Sequence, residues 1–263
     1  MNISLSSRNA FVCGSTQGIG KACAIELASL GASVTLLARN EESLKALVGG
    51  LPAANGQKHD YIVADFNDPA DLKEKVGRYI GETEKNIHIL VNNSGGPPSG
   101  PLLNAQPDDF QIAFNRHLIC NQLLAQAVVP GMKKSGYGRI INIISTSVKI
   151  PIEGLGVSNT IRAAVGNWAK TLANELGAFG ITVNNVLPGS TETQRLNDLF
   201  SKQASRQKKT IEQVEEQARA VIPFGRFAQP EELAWAVAFL ASPSAAYITG
   251  INLPVDGGRL GNL

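Results

Sequence analysis

The sequence predicts a single α/β domain: a doubly wound parallel sheet of seven strands with helices on both faces. Short apolar runs alternate with longer segments of helical periodicity along the 263 residues. Connections of this length between parallel strands are right-handed crossovers. No linker, repeat or low-complexity tract interrupts the alternation, so residues 1–263 are expected to form one domain.

The predicted strands are apolar along almost their whole length, as strands covered on both faces are. Residues 33–38 (Ser-Val-Thr-Leu-Leu-Ala) show the pattern well. The seven predicted strands span 10–13, 33–38, 61–64, 87–91, 139–144, 181–187 and 251–255.

The predicted helices are bounded by residues that favour helix ends. Gly31 breaks the first helix, which begins near Gly18, and Asp68 with Pro69 gives the third helix a favoured start. The remaining predicted helices span about 41–48, 107–134, 157–179 and 231–241, with a polar, charge-rich helical insert at about 192–222.

Composition excludes several classes of protein. Charged residues make up 17% of the chain, too few for a disordered protein, and the net charge of +2 gives no support for nucleic-acid binding. Cys13, Cys23 and Cys120 lack the spacing of a zinc site or a disulfide framework, so no metal is expected. No leader and no membrane-length apolar run is present, which predicts a cytoplasmic protein without a membrane partner.

A glycine-rich turn joins the first predicted strand to the first helix. Its spacing is Gly-xxx-Gly-x-Gly rather than the commoner Gly-x-Gly-xx-Gly. Glycines allow a tight turn and bring backbone amides close to a ligand, and a helix N-terminus favours phosphate. A glycine-rich turn without a ligand is the alternative. The predicted pyrophosphate site consists of Gly14, Ser15, Thr16, Gln17, Gly18, Ile19 and Gly20.

Several further segments follow predicted strands and are expected to meet at the same edge of the sheet. In open parallel sheets the ligand binds beyond the carboxyl ends of the strands. The segments are Gly14–Gly20, Arg39, Asp65, Asn92–Gly96, Ser145 and Pro188–Gly189. Their convergence favours a Rossmann-type dinucleotide site.

These motifs together resemble the short-chain dehydrogenase/reductase family, and within it the β-ketoacyl-carrier-protein reductase-like members. The resemblance covers nearly the whole chain. It rests on the glycine turn, Asp65, Asn92-Asn93-Ser94-Gly95, 138–143, 183–189, 223–226 and 255–258. It implies an oxidoreductase acting on a carbonyl/alcohol pair, including 3-oxoacyl thioesters, with a small molecule or an acyl thioester as substrate. The insert is implied to cover that substrate.

The residue after the second strand indicates which cofactor binds. Ala38 occupies the position where an acidic residue would bind the ribose 2′-hydroxyl, and Arg39 follows it. An arginine suits a 2′-phosphate, so NADP(H) is favoured and NAD(H) stays possible; a solvated surface arginine is the alternative. The other implied cofactor contacts are Asp65, Phe66, Asn93, Ser94, Gly95, Arg162, Pro188, Gly189, Thr191 and Thr193.

The catalytic residues of the family are incompletely matched. The family uses an asparagine, a serine, and a tyrosine with a lysine four residues later. Counting from 138–143 places the serine at Ser145, but puts Ser158 at the tyrosine position and Arg162 at the lysine position. The pKa of an alkanol is about 6 units above that of a phenol, which corresponds to ~8 kcal/mol in the free energy of ionisation. Ser158 therefore cannot replace the phenol as an acid.

Other residues are candidates for proton transfer. His117 occupies the asparagine position, although Asn115 and Asn121 lie close enough to leave that assignment open. An imidazole suits proton transfer near neutrality, whereas a packed structural histidine is the alternative. A water held by Ser158 and the loop carboxylate Glu153 are further candidates, and Lys149 is a candidate for binding an anionic substrate.

Two functional hypotheses remain open on the sequence. One is an oxidoreductase with an altered proton donor; the other is an NADP(H)-binding sensor or non-catalytic subunit. A homodimer or homotetramer is expected in either case, because helices 107–134 and 157–179 carry apolar residues beyond one face: Leu118, Leu123, Leu124, Val128, Val165, Trp168 and Leu172.

Overall fold

A computed structural model describes residues 1–261. Seven parallel strands form one sheet in the order β3-β2-β1-β4-β5-β6-β7, which confirms the predicted doubly wound α/β fold. The strands are β1 (Asn9–Cys13), β2 (Ser33–Ala38), β3 (Asp60–Val63), β4 (Ile89–Asn92), β5 (Gly138–Ile143), β6 (Ile181–Pro188) and β7 (Asn252–Val255).

Nine α-helices connect and follow these strands within residues 1–261. They are α1 (Gly18–Ser29), α2 (Glu41–Gly50), α3 (Pro69–Thr83), α4 (Pro107–Phe114), α5 (Cys120–Ser135), α6 (Gly156–Leu176), α7 (Gln194–Gln207), α8 (Ile211–Ala220) and α9 (Pro230–Ala241). None of them combines the length and the apolarity that crossing a membrane requires.

The sequence prediction of one helix over 107–134 is wrong in one respect. A single turn of π-helix, Asn115–Ile119, separates α4 from α5. The apolar periodicity hardly changes across such a turn, because one wider loop of backbone inserts only a single residue into the helical pattern. The π-turn carries His117 and Arg116 at the end of the helix nearest the carboxyl edge of the sheet.

The sheet is covered by one layer of helices on each face. Leu27 of α1 and Leu240 of α9 are fully buried in the core on one face. Leu72 of α3 and Met132 of α5 are fully buried on the other. Complete burial of each such side chain contributes about 1.5–3 kcal/mol, so the two layers hold the sheet and its loops in place.

Four asparagines link adjacent strands in the carboxyl half of the sheet. Asn92 donates from its Nδ2 to Asn142 Oδ1, Asn142 to Asn185 and Asn185 to Asn252, each at 2.8 Å. The first three are buried, and each stands beside the next in the strand register. This asparagine ladder, defined by the four residues, fixes β4 to β7 directly beneath the loops that form the site.

The helices expected to associate with a second subunit use part of their apolar surface within the protomer. Leu124, Val128 and Val165 are 2% exposed or less, because they pack in the cores beneath α5 and α6. Half-buried Leu123 and Leu172 retain apolar surface. The predicted homo-oligomer therefore depends on fewer residues than the sequence suggested.

Candidate functional site

The functional cleft lies at the carboxyl edge of the sheet, where the strand order reverses between β1 and β4. At such a switch point the following loops run in opposite directions and leave a crevice between them. The crevice here is a cleft of about 1450 Å³. It is lined by Gly14, Thr16, Gln17, Gly18, Ile19, Arg39, Asp65, Phe66, Asn93, Ser94, Gly95, Ser145, Ser158, Arg162, Pro188, Gly189, Thr191 and Thr193. Three predicted site residues, Ser15, Gly20 and His117, lie behind its wall.

The glycine turn requires glycine for two different reasons. Gly14 has a φ of 57°, in the left-handed region, and a Cβ there would come within 2.8 Å of Asn93. A Cβ on Gly20 would lie 2.1 Å from the Gly14 carbonyl oxygen, an impossible contact. Asn93 Nδ2 also donates to the carbonyls of Cys13 and Gly14, each at 3.2 Å. The turn is therefore held open towards the cleft.

The first turn of α1 has the properties of an anion site. Its N-cap residue Gln17 makes no side-chain cap, and the turn contains no carboxylate. Unsatisfied backbone amides and the helix dipole favour a phosphate at this position. The buried Ser15 hydroxyl beside them has no hydrogen-bond partner within residues 1–261. These groups fit a dinucleotide pyrophosphate.

The far end of the cleft has groups suited to an adenosine. Arg39 is exposed and makes no ion pair with any carboxylate among residues 1–261. Asp65 also lines the cleft, and its Oδ1 accepts from the backbone and side chain of Asn67, both at 2.9 Å. A guanidinium for a phosphate and a carboxylate for an amine thus lie at one end.

Ser145, Ser158 and Arg162 come together at the other end of the cleft. Ser145 follows β5, and its hydroxyl accepts from the Ser147 amide at 3.0 Å, so its own proton is free to be donated. Ser158 and Arg162 stand one turn apart on α6. All three line the cleft, so each is available to a ligand bound there.

Arg162 is a buried cation without a carboxylate partner. Its Nη1 donates to the Ile143 carbonyl at 3.0 Å, and no carboxylate in residues 1–261 forms an ion pair with it. Burial lowers the pKa of Arg162 to about 10, and the charge of Arg195 acts in the same direction. The group is still cationic at neutral pH, so it places a fixed positive charge in the cleft wall.

The surroundings of His117 favour a packed structural histidine over a proton donor. It is 2% exposed, and its Nδ1 shares a 2.7 Å hydrogen bond with Ser94 Oγ. Burial lowers the pKa of His117 to about 2, helped by the charges of Arg162, Arg116 and Arg195. The imidazole is therefore neutral at neutral pH, and its hydrogen bond holds the Ser94 side chain.

No tyrosine within residues 1–261 lines the cleft. Tyr137 donates to the Ala241 carbonyl, Tyr79 shares a bond with Thr35, half-buried Tyr61 donates to Glu41, and Tyr247 is exposed. Of the loop candidates, Glu153 lines the cleft and is exposed, whereas Lys149 does not line it. For Lys149 this position favours a solvated surface lysine over a substrate contact.

The segment after β6 closes one side of the cleft. Gly189 lies so close to Asp256 that a Cβ would come within 2.7 Å of its Cα. Thr193 caps α7 by accepting from the Leu196 amide at 3.3 Å. Thr191 is buried and bonds to the Gly189 carbonyl at 3.2 Å. The three residues place α7 against the cleft.

Two cleft arginines that the sequence analysis did not single out contact the loop after β4. Arg116 Nη1 donates to the Gly95 carbonyl at 3.3 Å, and Arg195 Nη2 donates to the Pro97 carbonyl at 2.7 Å. Both arginines are therefore hydrogen-bonded to the loop after β4. Arg195 is 98 residues from Pro97 along the chain, and no local pattern in the sequence signals a contact of that range.

Comparisons with known proteins agree with this architecture. The profile of the family described as enoyl-(acyl carrier protein) reductase matches residues 14–259. The 3-oxoacyl-[acyl-carrier-protein] reductase FabG of Pseudomonas aeruginosa is 33% identical over 259 residues, covering 97% of this chain and 98% of the relative. The NADPH-dependent reductase BacG of Bacillus subtilis is 30% identical over 260 residues, covering 97% and 99%. The structure of L-sorbose reductase from Gluconobacter frateurii with NADPH and L-sorbose superimposes with a TM-score of 0.92 at 29% identity, covering 100% of both chains.

Proposed function

Because the chain belongs to the short-chain dehydrogenase/reductase family, we propose that it interconverts a carbonyl compound and its alcohol with NADP(H) as cofactor. Similarity to FabG makes a 3-oxoacyl thioester one candidate substrate. The names of the BacG and L-sorbose reductase relatives specify NADPH, which agrees with Arg39 at the adenosine end of the cleft.

The residues present fit NADP(H) along the length of the cleft. The uncapped first turn of α1 would hold the pyrophosphate, Arg39 the 2′-phosphate and Asp65 the adenine amine. Asn93, Gly95 and Pro188 would line the remaining cofactor surface. When bound, the nicotinamide supplies or accepts the hydride that the carbonyl carbon exchanges.

Arg162 provides the electrostatic part of the proposed reaction. Its fixed charge in a desolvated wall would stabilise negative charge that develops on the carbonyl oxygen, as preorganised donors do in oxyanion holes. The Ser145 hydroxyl, whose proton is not engaged, would donate to the same oxygen. This unpaired, buried guanidinium is the single observation that carries the proposal.

The proton itself must come from another source. His117 is neutral and buried, and Ser158 is too weak an acid to be the source, so we propose that a water hydrogen-bonded to Ser158 Oγ relays a proton from solvent to the alkoxide left by hydride transfer. Because Arg162 stabilises the oxyanion, protonation can follow hydride transfer rather than accompany it. The expected consequence is a rate below that of relatives with a phenol.

Substitution of Arg162 tests this function. Arg162→Met removes the charge while filling the space, and we expect kcat on a ketone panel to fall about 100- to 1000-fold. Titration of the same variant with NADPH, followed by nucleotide fluorescence, shows whether the fold and the cofactor site remain intact. Unchanged turnover in Arg162→Met would contradict the role of the guanidinium.

The double substitution Ser158→Tyr with Arg162→Lys is the complementary test, in which activity is expected to increase. It restores the acid and the cation that the family uses, so a large rise in kcat is expected if the cleft still orients a carbonyl. A wild-type protein that binds NADPH and turns over no ketone, even after this restoration, would favour the alternative of a nucleotide sensor or non-catalytic subunit. The lack of a tyrosine along the cleft within residues 1–261 is what keeps that alternative in view.

A homodimer or homotetramer belongs to the same proposal. Half-buried Leu123 on α5 and Trp168 and Leu172 on α6 provide the apolar surface for association. Light scattering on the purified protein gives the molar mass, to be compared with 27.8 kDa for one chain.

A further inference from the structure

A second unpaired arginine lies near Arg162 in the cleft. Arg195, in the first turn of α7, is half-buried and donates from Nη2 to the Pro97 carbonyl at 2.7 Å, a neutral acceptor. A Cβ on Gly96 would come within 3.4 Å of the same nitrogen, so the loop after β4 packs directly against the guanidinium. Arg195 forms no ion pair with any carboxylate in residues 1–261.

The carboxylates near Arg195 are engaged or exposed to solvent. Asp198 is the acidic residue whose charge acts on Arg195, but its Oδ1 accepts from Gln194 Nε2 at 3.0 Å and the side chain is exposed. Glu153 lines the same cleft and is also exposed. A solvated carboxylate beyond ion-pair distance neutralises a half-buried guanidinium only weakly.

Arg116 and Arg162 add like charge to the same region. Burial lowers the pKa of Arg195, and the charge of Arg116 acts in the same direction. The charge of Arg195 in turn acts on Arg162. Keeping several cations together in a partly desolvated cleft costs free energy, which a bound anion offsets by direct charge-assisted hydrogen bonds.

We propose that Arg195 is a specificity-determining residue that binds an anionic group, a carboxylate or a phosphate, on the substrate next to its reacting carbonyl. This inference rests on the proposed function, since it places that group beside the carbonyl oxygen held by Arg162. It names the substrate class as a charged carbonyl compound rather than a neutral ketone.

The anion is assigned to the substrate because the cofactor phosphates have other positions. The pyrophosphate fits the first turn of α1, and the 2′-phosphate fits Arg39 at the opposite end of the cleft. Arg195 lies on α7, lines the cleft and contacts the loop after β4. Its guanidinium keeps further N–H donors for a ligand oxygen.

Ternary-complex titration tests the assignment with two matched pairs of probes. The protein with saturating NADPH is titrated with acetoacetate against its methyl ester, and with dihydroxyacetone phosphate against dihydroxyacetone, while bound-nucleotide fluorescence is followed. The charged member of at least one pair is expected to bind more tightly than its neutral counterpart. The tighter of the two anions identifies carboxylate or phosphate as the preferred group.

Three variants connect the anion to Arg195. Arg195→Met is expected to weaken anion binding about 10- to 100-fold and Arg195→Lys to weaken it less. NADPH affinity should stay near the wild-type value in both. Lys209→Gln removes one charge from the same insert outside the nucleotide cleft, and its anion affinity should match wild type.

The possible results separate this inference from the proposed function. Equal binding of charged and neutral probes, or unchanged anion affinity in Arg195→Met, would overturn the inference while NADPH binding still stands. A parallel loss of NADPH affinity in Arg195→Met would also overturn it, by assigning the residue to the cofactor. A wild-type protein that binds no NADPH would instead overturn the proposed function.

Discussion

His117 carries an ordinary imidazole in surroundings that keep it neutral. The ring is enclosed by the π-turn, and its Nε2 has no hydrogen-bond partner within residues 1–261. Three arginines around it would repel a proton, and burial acts in the same sense. His117 is hydrogen-bonded to Ser94, and we expect its burial to make the folded protein sensitive to acid.

Because of this residue, the free energy of unfolding should decrease as the pH is lowered. The unfolded chain takes up a proton on His117 as pH drops below about 6.5, whereas the folded protein takes it up only near pH 2, where the pKa of the buried ring lies. Stability is therefore present above pH 6.5 and lost below it, by about 2 kcal/mol at pH 5. Urea unfolding of wild type and His117→Asn between pH 5 and pH 8 measures this.

The substitution removes the titrating group and also the hydrogen bond to Ser94. The two proteins are therefore compared by how steeply their free energy of unfolding changes with pH, not by its absolute value. At pH 8 the difference between the two proteins gives the cost of the lost contact. Between pH 8 and pH 5 that difference should shrink by about 2 kcal/mol in favour of His117→Asn. Parallel stability curves for the two proteins would show that the ring is protonated in the folded state.

The asparagine ladder is a property of the strands rather than of any one residue. Strands buried on both faces have few polar side chains, and each buried amide needs both a donor and an acceptor satisfied. Asn142 meets this by accepting from Asn92 and donating to Asn185, at 2.8 Å in both bonds. A one-residue shift of β5 would turn this side chain to the other face and break both bonds.

Asn142→Ala should be more destabilising than removal of the ladder's end. It leaves a buried donor on Asn92 and a buried acceptor on Asn185 without partners, at a cost of roughly 2–4 kcal/mol. Asn252→Ala is the matched control, because it leaves one group, the Nδ2 of Asn185, without its partner instead of two, and should cost about 1–2 kcal/mol. The midpoint of urea unfolding reports both; equal losses would contradict this prediction, because Asn142→Ala breaks two ladder bonds and Asn252→Ala only one.

The strands and most helices were predictable because the apolar pattern of each segment indicates which of its faces are buried. Residues 33–38 are apolar on both faces, and the predicted strand matches β2 residue for residue. The π-turn was not predictable, since residues 107–134 keep helical character while one hydrogen-bond step changes. A prediction from periodicity detects the period and the length, but not a single inserted residue.

In the candidate site, too, the sequence predicted some features and missed others. It predicted the residues placed by strand ends, and it missed the contacts between segments distant along the chain. Strand ends placed Arg39, Asp65 and Ser145 at one edge of the sheet from the sequence alone, since parallel strands must all end there. The burial of His117 and the grip of Arg195 on the loop after β4 depend on which elements pack together. Those contacts are tertiary, so neither residue type nor spacing indicates them.

The cleft joins segments from most of the chain, and nucleotide binding should therefore stabilise the whole molecule. Gly14 and Thr193, 179 residues apart, both line it, as does Arg39 from the second strand's end. A ligand that binds only the folded protein stabilises it by about 2.7 kcal/mol at 100 times its Kd. For a chain of this size that is a rise in Tm of about 5–10 °C, which NADPH should produce at a lower concentration than NADH.

Arg39→Glu isolates the reason for that preference. The arginine is exposed and forms no ion pair within residues 1–261, so the ligand-free Tm should change little. A glutamate repels a 2′-phosphate and accepts from a 2′-hydroxyl, so the variant should be stabilised more by NADH than by NADPH. Thermal unfolding at matched nucleotide concentrations measures both shifts. A wild-type preference that persists in Arg39→Glu would place the 2′-phosphate on another side chain, since the glutamate would then leave its binding undisturbed.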